Sequence, residues 1–181
     1  MIALFSGMRQ NEICQLYTAD VRKIEDIWCF VVTAGGADDK QLKTAASERL
    51  VPIHPTLVRI GFLDYLAERR RAGDIRLFPE LRPDSFGLYS GPYSKWFTRF
   101  LASCDAAEER TCFHSFRHSF RDALREAGAD RELALAIGGW AGAGSSAVAD
   151  QYGRGFSPKL LYATLATIDY PELELGHLFV R

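Results

Sequence analysis

Apolar positions change period along this chain, and the changes predict its elements. Ile13 and Leu16 fall three apart behind Arg9, which predicts a helix beginning near Arg9. IWCFVVT (27–33) is dense in β-branched and aromatic residues and predicts a strand. GGADDK is turn chemistry and ERLVPI (48–53) reads as a returning strand, so a small antiparallel hairpin or sheet is expected. From His54-Pro55 the spacing becomes helical. A proline at an early position opens a helix carrying Leu57, Ile60, Leu63 and Leu66 and ending near Gly73. Gly91-Pro92 opens another, with Trp96, Phe97, Phe100 and Leu101. HSFRHSFR starts a helix that runs to a Gly128 cap, and Asp130 can cap a short helix over 131–137 that stops at Gly138-Gly139. AGAGSS reads as a loop, Ser146 as the cap of a short helix holding Tyr152, and Ser157-Pro158 as the start of a last helix with Leu160, Leu161, Leu165 and Ile168. The fold class is α+β, mostly α-helical with a small antiparallel β-sheet.

The tetrapeptide His-Ser-Phe-Arg occurs twice in succession over 114–121. At roughly 100° per residue, His118, Arg117, Arg121 and Arg125 all lie within about 60° of His114. Phe116, Phe120, Ala123, Leu124 and Ala127 take the opposite side, so the helix is amphipathic. A solvated polar face would be ordinary, but Arg117, Arg121 and Arg125 are successive i,i+4 neighbours and should repel. Asp122 and Glu126 relieve this only in part, which points to an anionic partner or to carboxylates elsewhere in the fold. The first copy lies nearer the helix start, where free N–H groups and the helix dipole favour phosphate.

Composition changes this picture little. The chain has 181 residues, 48% hydrophobic and 12% aromatic, enough for one domain with a core. It has no run of about 18 apolar residues, and MIALFSGMR is too short an apolar run for a secretory signal. Cys14, Cys29, Cys104 and Cys112 form no CxxC pair and no zinc pattern, so reduced thiols and a cytoplasmic setting are expected. A net charge of −1 argues weakly against nucleic acid. Charge is nonetheless segregated: residues 11–39 are predominantly acidic and 40–82 predominantly basic, so one face can still be positive.

Five segments in order resemble the catalytic domain of the tyrosine recombinase (phage integrase) family. SGMRQNEICQL (6–16) resembles its first arginine box, and KTAASERLVPI (43–53) its β-hairpin, with a lysine before an Arg-x-Val-Pro segment. HSFRHSF resembles its His-x-x-Arg-His box. GGW (138–140) stands where the family has Gly-His or, in some members, Gly-Trp, and DQYGRG (150–155) resembles the segment with the nucleophilic tyrosine. The resemblance implies a site-specific DNA recombinase or integrase of a mobile element or phage. It would cut and rejoin DNA through a 3′-phosphotyrosyl intermediate, with neither ATP nor metal and no other cofactor.

The residues carried over fit that chemistry. Arg9 and Arg117 match the pair that holds the non-bridging phosphate oxygens. His114 would donate a hydrogen bond to the phosphate or manage the nucleophile's proton. Lys43 matches the general acid for the leaving 5′ hydroxyl, although Lys40 stands in the same turn. Trp140 can donate only its indole N–H, and Tyr152 would be the nucleophile. Glu12 would orient Arg9, and His118 would support the site from behind.

The resemblance further implies one catalytic domain over residues 1–181, without the DNA-binding domain that the family places ahead of the first box. It implies a specific double-stranded DNA site, a homo-tetramer on that DNA, no membrane, and a nucleoid-associated cytoplasmic location in a bacterium or phage-infected cell. Residues 171–181 would be a tail that docks on a neighbouring protomer. Two departures stand out. Trp140 and Tyr152 are further apart than the family's commonest spacing, and Arg121 replaces a usually small residue. The alternative reading is a non-catalytic DNA-binding or interaction remnant of an integrase, motivated by the pI of about 6.4.

Overall fold

A computed structural model describes residues 1–34, 40–42, 47–140 and 155–180. Strands β1 (Val21–Ile24), β2 (Ile27–Val32) and β3 (Arg49–Pro52) form an antiparallel sheet in chain order. Val21 faces Phe30 across the first pair, and Phe30 faces Val51 across the second. All three side chains are fully buried, so one row across the sheet is core.

The sequence predicts β2 and β3 but not β1, whose VRKI carries two charges in four residues. A two-residue turn creates β1: Glu25 and Asp26 both take positive φ, at 48° and 66°. That is the twist-matched hairpin turn for which Asn-Gly is the usual signal.

Helices pack around the sheet. Helix α1 (Ile2–Ser6) ends at Gly7, and α2 (Gln10–Cys14) follows Arg9 at its N-cap. The helix expected over 55–73 is broken. Its parts are α3 (Pro55–Arg59) and α4 (Phe62–Arg71), separated by Gly61 at φ 85°. A Cβ at Gly61 would lie 2.6 Å from Val180 Cγ2, so the chain end occupies the notch that the break makes. The apolar period runs straight through, which hides the interruption. Next come α5 (Ser90–Ser103), α6 (Ser115–Glu126), α7 (Arg131–Gly138) and α8 (Pro158–Leu165). Asp130 and Ser157 cap α7 and α8 through their side chains, as expected.

Helices α7 and α8 pack on β3, and α1 packs on α6. Phe30, Val51, Phe120, Leu124, Ile137 and Leu165 form the centre of the resulting core. His54 belongs to that core. Its Nδ1 accepts from the Thr56 N–H, its Nε2 faces the Ile168 carbonyl, and burial lowers its pKa. It is thus a neutral capping residue. No helix among the described residues is long and apolar enough to cross a membrane. The end of the tail lies on its own chain: the Arg59 guanidinium sits 3.9 Å from the Phe179 ring centroid, and the Val180 N–H donates to the Arg59 carbonyl at 3.1 Å.

Candidate functional site

Arg9 starts α2 rather than sitting inside it. Its backbone N–H donates to Glu12 Oε2 at 2.7 Å and its Nη1 donates to Glu12 Oε1 at 2.7 Å. Glu12, at the third helical position, therefore caps the helix and grips the arginine at once. Arg9 also reaches Ser47 Oγ and the Gly139 carbonyl, both at 3.3 Å. Its side chain keeps 25% of its surface open.

A residue missed as a site candidate completes this group. Arg49, at the start of β3, donates Nη1 to Glu12 Oε1 (3.1 Å) and Nη2 to Glu12 Oε2 (2.9 Å). Its Nε donates to the Ile137 carbonyl at 2.9 Å and its Nη1 to the Ser47 carbonyl at 2.8 Å. The available signal was an arginine at the edge of an apolar strand, read above only as part of a hairpin segment. Burial, the largest influence on Glu12, pushes its pKa up, but hydrogen bonds and charge from Arg49 and Arg9 outweigh it and hold Glu12 below its ordinary value.

Arg117 enters from α6. By angle it belongs to that helix's polar face, yet it is only 3% exposed. Gly7 lets the Phe120 side of α6 come close: its φ is 62°, and a Cβ there would lie 2.3 Å from Phe120 Cδ1. Arg117 Nη1 donates to the Gly7 carbonyl, and its guanidinium stacks 4.7 Å from the Trp140 ring centroid. Its Nη2 is buried with no hydrogen-bond partner among the described residues. Burial, then the charges of Arg9 and Arg49, lower its pKa to about 10, with Glu12 opposing and Arg121 adding. It stays protonated at neutral pH, but in an environment that disfavours its charge.

The Gly-Gly-Trp turn is shaped by the same residues. A Cβ at Gly138 would lie 2.0 Å from the Trp140 ring, and one at Gly139 would lie 2.9 Å from Arg49 Nη1. Trp140 is consequently folded back onto Arg117, with Phe120 at 6.2 Å and the Arg121 guanidinium at 5.5 Å. It packs on the core and lines the site.

The structure brings together Arg9, Glu12, Arg117 and Trp140. His114 occupies the N-cap of α6, exposed, one turn before Arg117, with its ring 5.0 Å from that of His118. His118 is exposed as well. Lys43 and Tyr152 lie outside the described residues. Lys40 is committed elsewhere: it is buried, with Nζ 2.7 and 2.6 Å from the two Asp20 oxygens.

Comparisons with known proteins bear on the family and the fold. A family model described as the phage integrase family matches residues 1–152. Among solved structures, the integrase of the transposon Tn1549 in complex with a circular intermediate DNA matches with a TM-score of 0.52 and 18% identity. The match covers 83% of this chain and 55% of that one, so this chain spans about half the length of the integrase it matches. At that identity the likeness is one of fold, and the fold is the mostly helical one with a three-stranded antiparallel sheet. No curated protein matches.

Proposed function

Since the chain belongs to the phage integrase family, we propose that it is a site-specific DNA strand transferase that uses Tyr152 as its nucleophile. The observation that carries this is the buried Arg117, whose Nη2 has no partner among the described residues and whose charged neighbours are Arg9 and Arg49. Cations packed together around one carboxylate suit a ligand that brings negative charge, and a phosphodiester does so.

Arg9 and Arg117 hold the two non-bridging oxygens, on which charge accumulates during attack. The Tyr152 oxygen bonds to phosphorus and the P–O5′ bond breaks. Lys43 gives its proton to the departing 5′ oxygen, and His114 accepts the phenol's proton or donates to a phosphate oxygen. The commitment of Lys40 to Asp20 supports Lys43 as the proton donor. Trp140 fixes the plane of Arg117 by stacking on it. The product is a 3′-phosphotyrosyl ester. A phenolate is a better leaving group than an alkoxide, so a returning 5′ hydroxyl displaces it and restores the DNA.

A nicked suicide duplex carrying the ends of the encoding element should trap a covalent adduct, seen as a band of reduced mobility under denaturing conditions. Tyr152→Phe should abolish it. An adduct that persists in this variant overturns the assignment, and DNA binding without any adduct from the wild type favours a non-catalytic remnant.

A further inference from the structure

We propose that Arg49 is a positioning residue for the first arginine, acting through Glu12; this rests on the strand-transfer reading of the site. Its bonding points away from a direct role. Of five N–H donors, Arg49 directs four to Glu12 Oε1, Glu12 Oε2 and the carbonyls of Ser47 and Ile137, with Nη1 serving both Oε1 and Ser47. Its side chain is only 6% exposed, against 25% for Arg9. Arg49 is covered, with four of its five donors engaged, whereas Arg9 is presented.

Glu12 joins the two. Each of its oxygens accepts one hydrogen bond from Arg9 and one from Arg49. A carboxylate shared by two guanidinium groups neutralises neither, so Arg9 keeps positive charge for a phosphate oxygen. Without Arg49 the buried Glu12 would have Arg9 as its one remaining partner among these groups. Glu12 would then neutralise Arg9 alone and cancel the charge that the phosphate needs. The remaining contacts of Arg49 fix where this happens. The Ser47 carbonyl belongs to the foot of the β2–β3 connection, the Ile137 carbonyl to the last turn of α7, and Gly139 lies against the Arg49 guanidinium. One side chain thereby holds Glu12 in register with the hairpin and with the turn before residue 141.

The test is single-turnover adduct formation on the suicide duplex at saturating DNA. Arg49→Ala should slow it by roughly 10- to 100-fold, the usual effect of losing a partner that orients a reacting group. DNA affinity should stay within about threefold, because Arg49 does not face the DNA. Arg49→Lys, which keeps the charge but cannot make the parallel pair of bonds, should fold like the wild type and remain slow. The decisive readout is a methylphosphonate at the scissile position, whose neutral linkage lacks one anionic oxygen. The Arg49→Ala defect should shrink on the diastereomer lacking the oxygen that Arg9 holds, as should the defect of Arg9→Ala. A defect of equal size on both linkages, or full activity in Arg49→Lys, overturns the positioning role. A wild type that forms no adduct overturns the strand-transfer reading and this inference with it. An active wild type matched in rate by Arg49→Ala overturns the inference alone.

Discussion

Two buried ionic groups flank the connection between β2 and β3, and they are built on opposite plans. Asp20 and Lys40 make a one-to-one pair: Nζ reaches both carboxylate oxygens, and the side chains are 5% and 3% exposed. Glu12 is instead shared by Arg9 and Arg49, and among the described residues it is the carboxylate that acts on Arg117. Glu12, Asp20 and Lys40 line the same small cavity, so the contrast is not one of location. The balanced pair is closed to further ligands. Among the described residues, the unbalanced group leaves cationic charge in excess and one guanidinium nitrogen without a partner, which costs stability.

The sharpest way to break the contrast is to remove one cation from each. Lys40→Met leaves Asp20 buried and uncompensated and should destabilise the fold by about 3–5 kcal/mol, measured by urea unfolding. Lys40→Met combined with Asp20→Asn should recover most of that loss. The amide oxygen can still accept from the Tyr17 N–H, which now donates to Asp20 Oδ2 at 2.7 Å. If the single variant is as stable as the wild type, Asp20 and Lys40 do not form the buried pair.

Arg117→Met should behave in the other way. It removes a cation that its neighbours repel, and the methionine stem can keep contact with Trp140. The cost is the bond to the Gly7 carbonyl, so stability should stay within about 1.5 kcal/mol of the wild type. Adduct formation should fall by roughly 10²-fold or more, as when one preorganised donor to a developing oxyanion is removed. A variant that is strongly unfolded, or one that still reacts at the wild-type rate, breaks the distinction between anchor and site.

The contrast also marks what could be read in the sequence. Helix starts were legible because Asp130, Ser157 and the prolines at 55 and 158 act through local bonds. The pairing of β1 with β2 was not, because its turn uses Glu25 and Asp26 where glycine would have given it away. Arg9, Glu12, Arg117 and Trp140 were named as candidates by motif, and the structure supplies their shared position. The burial of Arg117 was hidden, because helical angle places it with solvated residues, and what covers it, the Gly7 carbonyl and the Trp140 ring, comes from other parts of the chain. Arg49 was hidden for a related reason. Its partners are Glu12, 37 residues earlier, and Ile137, 88 residues later, and no local pattern encodes those distances.

The smallest expected effect belongs to Arg121, the second arginine of the repeated tetrapeptide. Its guanidinium lies over Trp140 at 5.5 Å, further than that of Arg117, and its side chain is exposed rather than buried. It adds to the positive charge around Arg117 without entering the Glu12 network. On the strand-transfer reading, an exposed cation held on an indole face beside the site would meet a phosphate next to the scissile one. Arg121→Gln should then lower the slope of log K against log salt by about 0.9, the release of one counterion, while the reaction rate at saturating DNA is unchanged. An unchanged slope with a slower reaction would instead make Arg121 a support for Trp140, and through it for Arg117. That outcome would move it from the DNA-facing surface into the unbalanced group itself.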